Sequence, residues 1–400
     1  MPPRVPGIQD FADVVSPWAS ASPFGLNTRH CPGPEEIEAL AETGARWVRT
    51  HHAPWAAVER QKGVYTFAPE SDRFVQSWLD ADIQILDVLG YGNPLHTGAD
   101  DVMVAPSGPE QIEAYANYVR ATVGHYRRWT KHWEIWNEPN SRGSWKPNPF
   151  PDAYLGVLKA AYEAAKSADP DCVVVGGALL GTALPFLERL LTLGAAQHMD
   201  VLSVHPHRPR FEASCESSGY AEELRAVRDL VDRYRRDLPI RITEIGWPTS
   251  PREGSGSVSP QTQADYLVRM YVLSLAAGVD RVFWREFRDE DQFGVVQLDF
   301  ARKPSYAAYR TMTRLLEGAE CEGRVGAPHG VWAVAFRRHN HDILVCWAPE
   351  STVEVELLGT SISRWDTSGH ASRAADGPLR VTLGPSPIYA AGHNLAVASR

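Results

Sequence analysis

The feature that most constrains this chain is a strand-then-helix alternation that recurs eight times between about residue 22 and about residue 318. Runs with strand character fall at 23–28, 47–50, 84–90, 132–137, 172–176, 201–205, 240–245 and 281–286. Helical patterns lie between them, at 34–43, 71–81, 109–128, 151–168, 184–193, 221–236, 261–277 and 305–316. In the third of these, Ile112, Tyr115, Val119, Val123 and Tyr126 recur every three or four residues, which is one face of a helix. Pro34, Pro109 and Pro151 open helices, a position where a missing backbone N–H is tolerated. Eight such units are the number that closes a (β/α)8 TIM barrel, an α/β fold; the same alternation otherwise makes an open doubly wound sheet. Residues of functional character cluster after the fourth, sixth, seventh and eighth strands. A barrel gathers all such ends around one mouth, whereas an open sheet gathers only those near its switch point. The expectation is therefore a barrel over residues 1–318.

After residue 318 the pattern changes. Short strand-like runs at 330–338, 342–347, 352–357, 379–383 and 387–391 are separated by turn residues and by no helix. A small antiparallel β-sandwich over residues 319–400 is expected, with N-terminal residues as candidates to complete it. No low-complexity linker precedes it, so it reads as a fixed appendage rather than a tethered module.

Composition bounds the partners. A net charge of −9 argues against non-specific nucleic-acid binding, which requires cationic surface to displace counterions. No stretch approaches the roughly 18 uncharged apolar residues of a membrane span. Residues 1–10 contain no apolar core of a secretory signal, and a cytoplasmic location is the corresponding expectation. Cys31, Cys172, Cys215, Cys321 and Cys346 are scattered, odd in number and free of CxxC spacing, which fits reduced thiols better than a disulfide frame or a zinc site.

Two segments carry the chemistry. His132-Trp133-Glu134-Ile135-Trp136-Asn137-Glu138-Pro139 is an apolar strand that ends in an amide, a carboxylate and a proline. Ile240-Arg241-Ile242-Thr243-Glu244-Ile245 is a β-branched run that delivers a second carboxylate at its end. Two glutamates at the same ends of two parallel strands face each other across a barrel mouth. Glycosidic hydrolysis uses that arrangement, one group protonating the leaving oxygen and one attacking the sugar. Taken alone, Glu138 also fits an ordinary solvated strand end. Pro139, however, restricts it to an extended or turn conformation, and a carboxyl walled by Trp136 and Trp145 loses solvation, which favours its protonated form. Asn137 offers an amide to a sugar hydroxyl. Arg49, near the end of the second strand, is placed to lie below Glu244 and stabilise its charge, or to form a structural ion pair with Glu134.

These residues also carry a resemblance. The stretch from Trp133 to Pro139 and the strand end Thr243-Glu244-Ile245-Gly246-Trp247 resemble the two catalytic signatures of clan A glycoside hydrolases. Within that clan the chain is most similar to family 39 and its exopolysaccharide-hydrolase relatives, through Phe24-Gly25-Leu26-Asn27, Gly44-Ala45-Arg46-Trp47-Val48-Arg49 and Lys303-Pro304-Ser305-Tyr306. The resemblance spans essentially the whole chain. It implies a retaining, two-step mechanism with Glu138 as acid/base, Glu244 as nucleophile and Asn137 holding the sugar 2-OH, acting without a cofactor on an oligosaccharide, glycoside or polysaccharide. Clan members often place a tyrosine two residues after a histidine on the sixth strand. Here the run is Val204-His205-Pro206-His207, so either His207 donates to Glu244 in its place or the loop is arranged differently. Trp284 matches the position of an aromatic platform under the sugar, where indole stacks on apolar ring faces.

The remaining aromatic and histidine residues divide between packing and substrate contact. Trp47, Trp78, Trp129 and Trp133 are assigned to packing. Trp55, Trp145 and Trp247 lie in or near strand-end loops as candidate subsite walls. His51, His52 and His96 invite a metal hypothesis, but adjacent side chains on an extended segment point to opposite faces and share one ion poorly. No metal is expected, and hydrogen bonding to sugar hydroxyls, with His52 as the choice, is the better use. The loop 248–260, with Gly254-Ser255-Gly256-Ser257 at its centre, is a candidate lid. A non-catalytic carbohydrate-binding barrel, a metal-dependent barrel hydrolase and a transglycosylase are the competing readings, and xylosides, glucosides, galactosides, rhamnosyl-linked diglycosides and bacterial exopolysaccharides are all compatible substrates.

Overall fold

The computed structural model describes residues 22–28, 33–208, 210–250, 256–373 and 377–399. Its first part is a closed barrel of eight parallel strands in sequence order: β1 (Phe24–Asn27), β2 (Trp47–Thr50), β3 (Gln84–Leu89), β4 (His132–Ile135), β5 (Val173–Leu180), β6 (Val201–His205), β7 (Ile240–Ile245) and β8 (Arg281–Trp284). The helices that follow them in turn are α1 (Pro34–Ala41), α2 (Pro69–Asp80), α3 (Gly108–Tyr126), α4 (Pro151–Ala168), α5 (Leu184–Thr192), α6 (Tyr220–Asp232), α7 (Pro260–Ala276) and α8 (Pro304–Leu316). Single helical turns at Trp55–Val58 and Pro94–Thr97, absent from the sequence expectations, sit in the loops after β2 and β3.

Strand alternation sets what each side chain meets. Inward positions build one apolar layer from Trp47, Leu86, Val175, Val201 and Phe283. Closer to the mouth the inward side chains become polar: Arg49 on β2, Glu134 on β4, Ser203 and His205 on β6 and Thr243 on β7. Outward positions such as Trp133, Ile135, Ile242 and Trp284 pack among the helices. β5 is interrupted between Gly176 and Leu179 by a bulge, where Gly177 has φ +95 and a Cβ would meet the Ser203 carbonyl at 2.5 Å. The bulge frees the Ala178 carbonyl to accept the Glu138 N–H at 2.9 Å, so a backbone irregularity on β5 holds the end of β4.

The second part is a seven-stranded antiparallel sheet made from β9 (Glu320–Arg324), β10 (Trp332–Arg338), β11 (His341–Trp347), β12 (Val353–Asp366), β13 (Ala371–Arg373), β14 (Leu379–Leu383) and β15 (Ile388–Ser399), in the order β13-β12-β15-β11-β10-β9 with β14 also on β12. Register shifts between Leu358 and Ser363 break the β12–β15 ladder, and the two long strands pass from one layer to the other. Val355, Leu357, Val381, Leu383 and Val397 then share one apolar cluster with Ala333, Ala335, Leu344 and Cys346, which is the core of a β-sandwich. β12 and β15 are much longer than the sequence suggested, because Gly359 and the Gly392–Asn394 segment look like turns and are bulges instead. β9 and β13 went unrecognised; the sequence of β9, ECEGR, has the composition of a turn. Whether N-terminal residues complete the sandwich lies outside the described residues. Among the described cysteines, Cys172, Cys215 and Cys346 are buried, and these and Cys321 are free thiols. No helix of the described residues is long and apolar enough to cross a membrane.

The other face of the sheet joins the barrel's own core through Val334, Phe336, Ile343, Val345, Trp347 and Tyr389. Glu216, from the loop after β6, fastens the two parts. It pairs with Arg269 of α7 and accepts the Trp347 Nε1–H of β11 at 2.7 Å. Both charged side chains are at most 5% exposed. Breaking such a pair strands a buried charge, which costs about 3–5 kcal/mol. Glu216→Ala should therefore lower the unfolding free energy from urea titration by that order and shift the midpoint down, whereas Glu70→Ala, which removes an exposed partner of Arg73, should leave both within experimental scatter. Equal midpoints for Glu216→Ala and the parent would contradict this role.

Candidate active site

At the carboxyl ends of the strands lies a cleft of about 410 Å³ lined by polar groups, among them Asn27, Arg49, His51, Tyr91, Asn137, Glu138, Glu244, Arg285 and Glu286. The β4 end reaches it by an unusual path. Trp136 has φ 68 and Glu138 has φ 50, so neither is extended, and Pro139 follows a left-handed residue rather than a β one. Backbone strain of this kind persists where the surroundings over-determine it. Here the Ala178 carbonyl and the Ser141 N–H fix Glu138 from both sides.

One oxygen of Glu138, one of Glu244 and a ring nitrogen of His207 lie within 4.8 Å of one another. The two carboxyls have different company. Glu244 meets Arg285 Nη1 at 2.8 Å, Arg49 Nη1 at 3.2 Å and His207 Nε2 at 3.4 Å. Glu138 meets His205 Nδ1 at 3.3 Å and, loosely, the Ser144 hydroxyl at 3.5 Å, with no guanidinium in contact among the described residues. Burial alone would oppose charge on Glu244. The His207 hydrogen bond and the charges of Arg285, His205 and Arg49 outweigh it and hold this carboxyl well below the usual range. The trio has the composition of a metal site, but a cation there would compete with two guanidiniums already bound to Glu244, and a carboxylate so engaged is a poor ligand.

Arg49 organises the floor. Its Nε donates to Glu134 at 2.6 Å, Nη1 to Asn27 Oδ1 at 3.1 Å and to Glu244, and Nη2 to Asn137 Oδ1 at 2.6 Å. Both arrangements anticipated for this arginine, below Glu244 and paired with Glu134, are thus present together. Because Asn137 uses its oxygen on Arg49, its NH2 is the end left to face the cleft. Burial works against the Arg49 charge, and Glu134 and Glu244 more than offset it, so its pKa is raised. Tyr91 is pushed up to about 12, chiefly by burial, and stays a neutral phenol donor.

Several expected contacts are not made. Trp284 is fully buried, donates its N–H to the Phe293 carbonyl at 3.0 Å and stacks on Trp247, which is equally buried. Strand parity explains this: Phe283 points into the barrel, Trp284 outward and Arg285 back to the mouth. The place foreseen for an indole platform is held by a guanidinium, which rests over the Phe293 ring at 4.8 Å and bridges Glu244 and Asp291. Trp145 is 2% exposed and packs edge-on against Trp136 behind the β4 end, outside the cleft lining. Trp55 is buried on Glu59, and His96 stacks on it. His52 is likewise displaced: its ring is buried 3.0 Å from Asp87, and its neighbour His51 faces the cleft, one step of the period-two alternation away. Burial lowers the His51 pKa. His205 is completely buried beneath Glu138 and does not reach the cleft, and His207 lies off the cleft lining with its Nε2 3.4 Å from Glu244. Of the loop 248–260, residues 251–255 lie outside the described residues.

Sequence reasoning missed Arg285, Tyr91 and Glu286, and it chose His52 over His51. Continuing the in–out alternation one residue past each strand would have found Arg285 and favoured His51.

No family model matches the chain. A β-xylosidase of Geobacillus stearothermophilus is 25% identical over 281 residues, covering 60% of this chain and 54% of that protein, so the chain spans about half the length of this relative. Among solved structures, a family 39 glycoside hydrolase from Bacteroides cellulosilyticus WH2 superposes with a TM-score of 0.79 at 22% identity, over 92% of this chain and 80% of that one. A monomeric β-xylosidase from Caulobacter crescentus CB15 gives 0.67 at 16% identity, over 95% and 96%. A family 30 subfamily 8 xylanase from Clostridium acetobutylicum gives 0.68 at 14%, over 94% and 96%. The fold is that of family 39 and family 30 glycoside hydrolases, barrel and sandwich together.

The environment of Glu244 has a consequence for stability. Its folded-state pKa is depressed, so the ionised form favours folding. That contribution is complete above the unfolded value of about 4.3 and is lost as pH falls below it towards the folded value. Glu244→Gln should lose stability less steeply than the parent on acidification below about pH 4.3, read as urea midpoints at successive pH values. Parallel curves would contradict the assignment.

Proposed function

We propose that the chain is a retaining glycoside hydrolase that cleaves O-glycosidic bonds by double displacement, with Glu244 as nucleophile and Glu138 as general acid and base. The observation that carries this reading is the approach of the two carboxyls to within 4.8 Å across one cleft, with both arginine contacts given to Glu244. Carboxyl groups about 5–5.5 Å apart suit retention, whereas inversion needs about 6.5–9.5 Å to admit a water between acid and sugar.

In the first step a Glu244 oxygen attacks the anomeric carbon as the bond to the leaving oxygen breaks, and Glu138 gives its proton to that oxygen. In the second, Glu138 takes a proton from water, which attacks the same carbon and releases Glu244. Arg49 and Arg285 keep the nucleophile ionised and aimed. The Asn137 NH2, oriented because Arg49 holds its oxygen, is placed to hold the sugar 2-OH, a contact that strengthens as charge develops. The charged lining, with phenol and imidazole donors from Tyr91 and His51, suits recognition by hydroxyl hydrogen bonds more than by stacking. The β-xylosidases among the relatives make aryl β-xylosides the first substrates to try.

Glu138→Ala and Glu244→Ala should each fold and lose most turnover, the acid/base variant by about 10²–10⁴-fold. Azide should partly restore Glu138→Ala on an activated aryl glycoside and should change the product anomer formed by Glu244→Ala. Undiminished turnover in either variant would end the assignment. Arg49→Lys, which supplies a point charge in place of a planar fork, should lower kcat/KM by about 100-fold through misplacement of Glu244 and Asn137; parental kinetics in that variant would count against the organising role of the guanidinium.

A further inference from the structure

A buried chain of hydrogen bonds joins the two carboxyls beneath the cleft floor. From Glu138 Oε1 it runs to His205 Nδ1 at 3.3 Å, and from His205 Nε2 to Thr243 Oγ1 at 2.9 Å. It continues from Thr243 Oγ1 to Glu134 Oε1 at 2.6 Å, then through Glu134 Oε2 to Arg49 Nε at 2.6 Å and from Arg49 to Glu244. The side chains of Glu134, Ser203, His205 and Thr243 are sealed from solvent.

Counting protons along this chain fixes the imidazole. Glu134 is flanked by the Arg49 guanidinium and, ionised, only accepts. The single Thr243 hydroxyl proton therefore goes to Glu134. The other two groups on that hydroxyl oxygen, the Ser203 hydroxyl and His205 Nε2, must both donate to it. With a proton on Nε2, a neutral His205 turns the lone pair of Nδ1 toward Glu138. A lone pair facing a carboxylate is repulsive, so the contact is satisfied only when one proton lies between the two groups.

We propose that Thr243 and Glu134 are positioning residues that lock the proton on His205 Nε2 and so keep a second proton between His205 Nδ1 and Glu138, ready for the leaving group. This rests on the glycosidase reading above. In the first step the pair gives that proton to the departing oxygen as the glycosidic bond breaks and the Glu244–carbon bond forms. Glu138 is then a carboxylate facing a lone pair, a state relieved when it takes a proton from the attacking water as the Glu244–carbon bond breaks. The other charged or titratable groups near the pair are Glu244 from β7, His207 from the loop after β6 and Tyr91 from the loop after β3. None of them contacts His205 Nε2, so the tautomer is set from below, by Thr243.

The test compares Thr243→Val, which keeps the shape of the side chain and loses its hydroxyl, with Thr243→Ser, which keeps the hydroxyl. Aryl glycosides with leaving groups from dinitrophenol to plain phenol are the probes, and unfolding midpoints check that both variants fold. In Thr243→Val the imidazole is free to place its proton on Nδ1, where it stabilises ionised Glu138. The expected result is a loss of kcat/KM of about 10²-fold for the poor leaving groups and little loss for dinitrophenyl glycosides, which need no protonation. Thr243→Ser should restore the parental dependence. ¹⁵N spectra of labelled histidine should show Nε2 protonated in the parent and in Thr243→Ser. A loss of equal size across all leaving groups, parental kinetics in Thr243→Val, or an unprotonated Nε2 in the parent would each overturn the proposal. A parent that turns over no glycoside at all would instead overturn the glycosidase reading, and the proposal with it.

Discussion

The site depends on one buried cation. Arg49 sits inside the barrel at 6% exposure, and a guanidinium taken that far from water is tolerable only if its donors are met. Glu134, Asn27, Asn137 and Glu244 meet them, from β1, from β4 and its end, and from β7. The same bonds that make the charge affordable to bury also set the spacing of the side chains at the mouth. Removing Glu134 would not simply weaken an ion pair; it would release the group that aligns an amide and a carboxylate on opposite sides of the cleft.

Below that polar ring Trp47, Leu86, Val175, Val201 and Phe283 form an apolar layer across the barrel interior. The dielectric contrast this creates gives the arginines their influence on Glu244, since exposed ion pairs are worth little. It also explains why neighbouring residues on one strand have such different fates. Glu134 is an ion partner and Ile135 a helix contact because the strand turns one inward and the next outward.

That alternation also divides what the sequence disclosed from what it concealed. The eight strands and eight long helices were legible because each is announced by its own period and many by a proline at the helix start. Glu138 and Glu244 were legible because an amide or a β-branched run delivers a lone carboxylate at a strand end. The tryptophans were misjudged because composition does not reveal facing: Trp284 and Arg285 are adjacent, and parity alone decides which one meets the cleft. His52 and His51 differ in the same way. The long strands β12 and β15 were cut short because a glycine inside a bulge and a glycine inside a turn read alike until the partner strand is known. The left-handed turn at Glu138 was hidden for a related reason, since it is imposed by the Ala178 carbonyl from a strand some forty residues away.

The loop that leaves β6 carries His207 at one end and is pinned at Glu216 to α7 and to the sheet strand β11. The accessory sheet is thereby a splint for the loop that holds His207 beside Glu244: it has no atom in the cleft lining, yet the rigidity of that loop is partly borrowed from it. Variation on the sheet's docking face can thus tune how firmly His207 is held while every residue at the mouth stays the same.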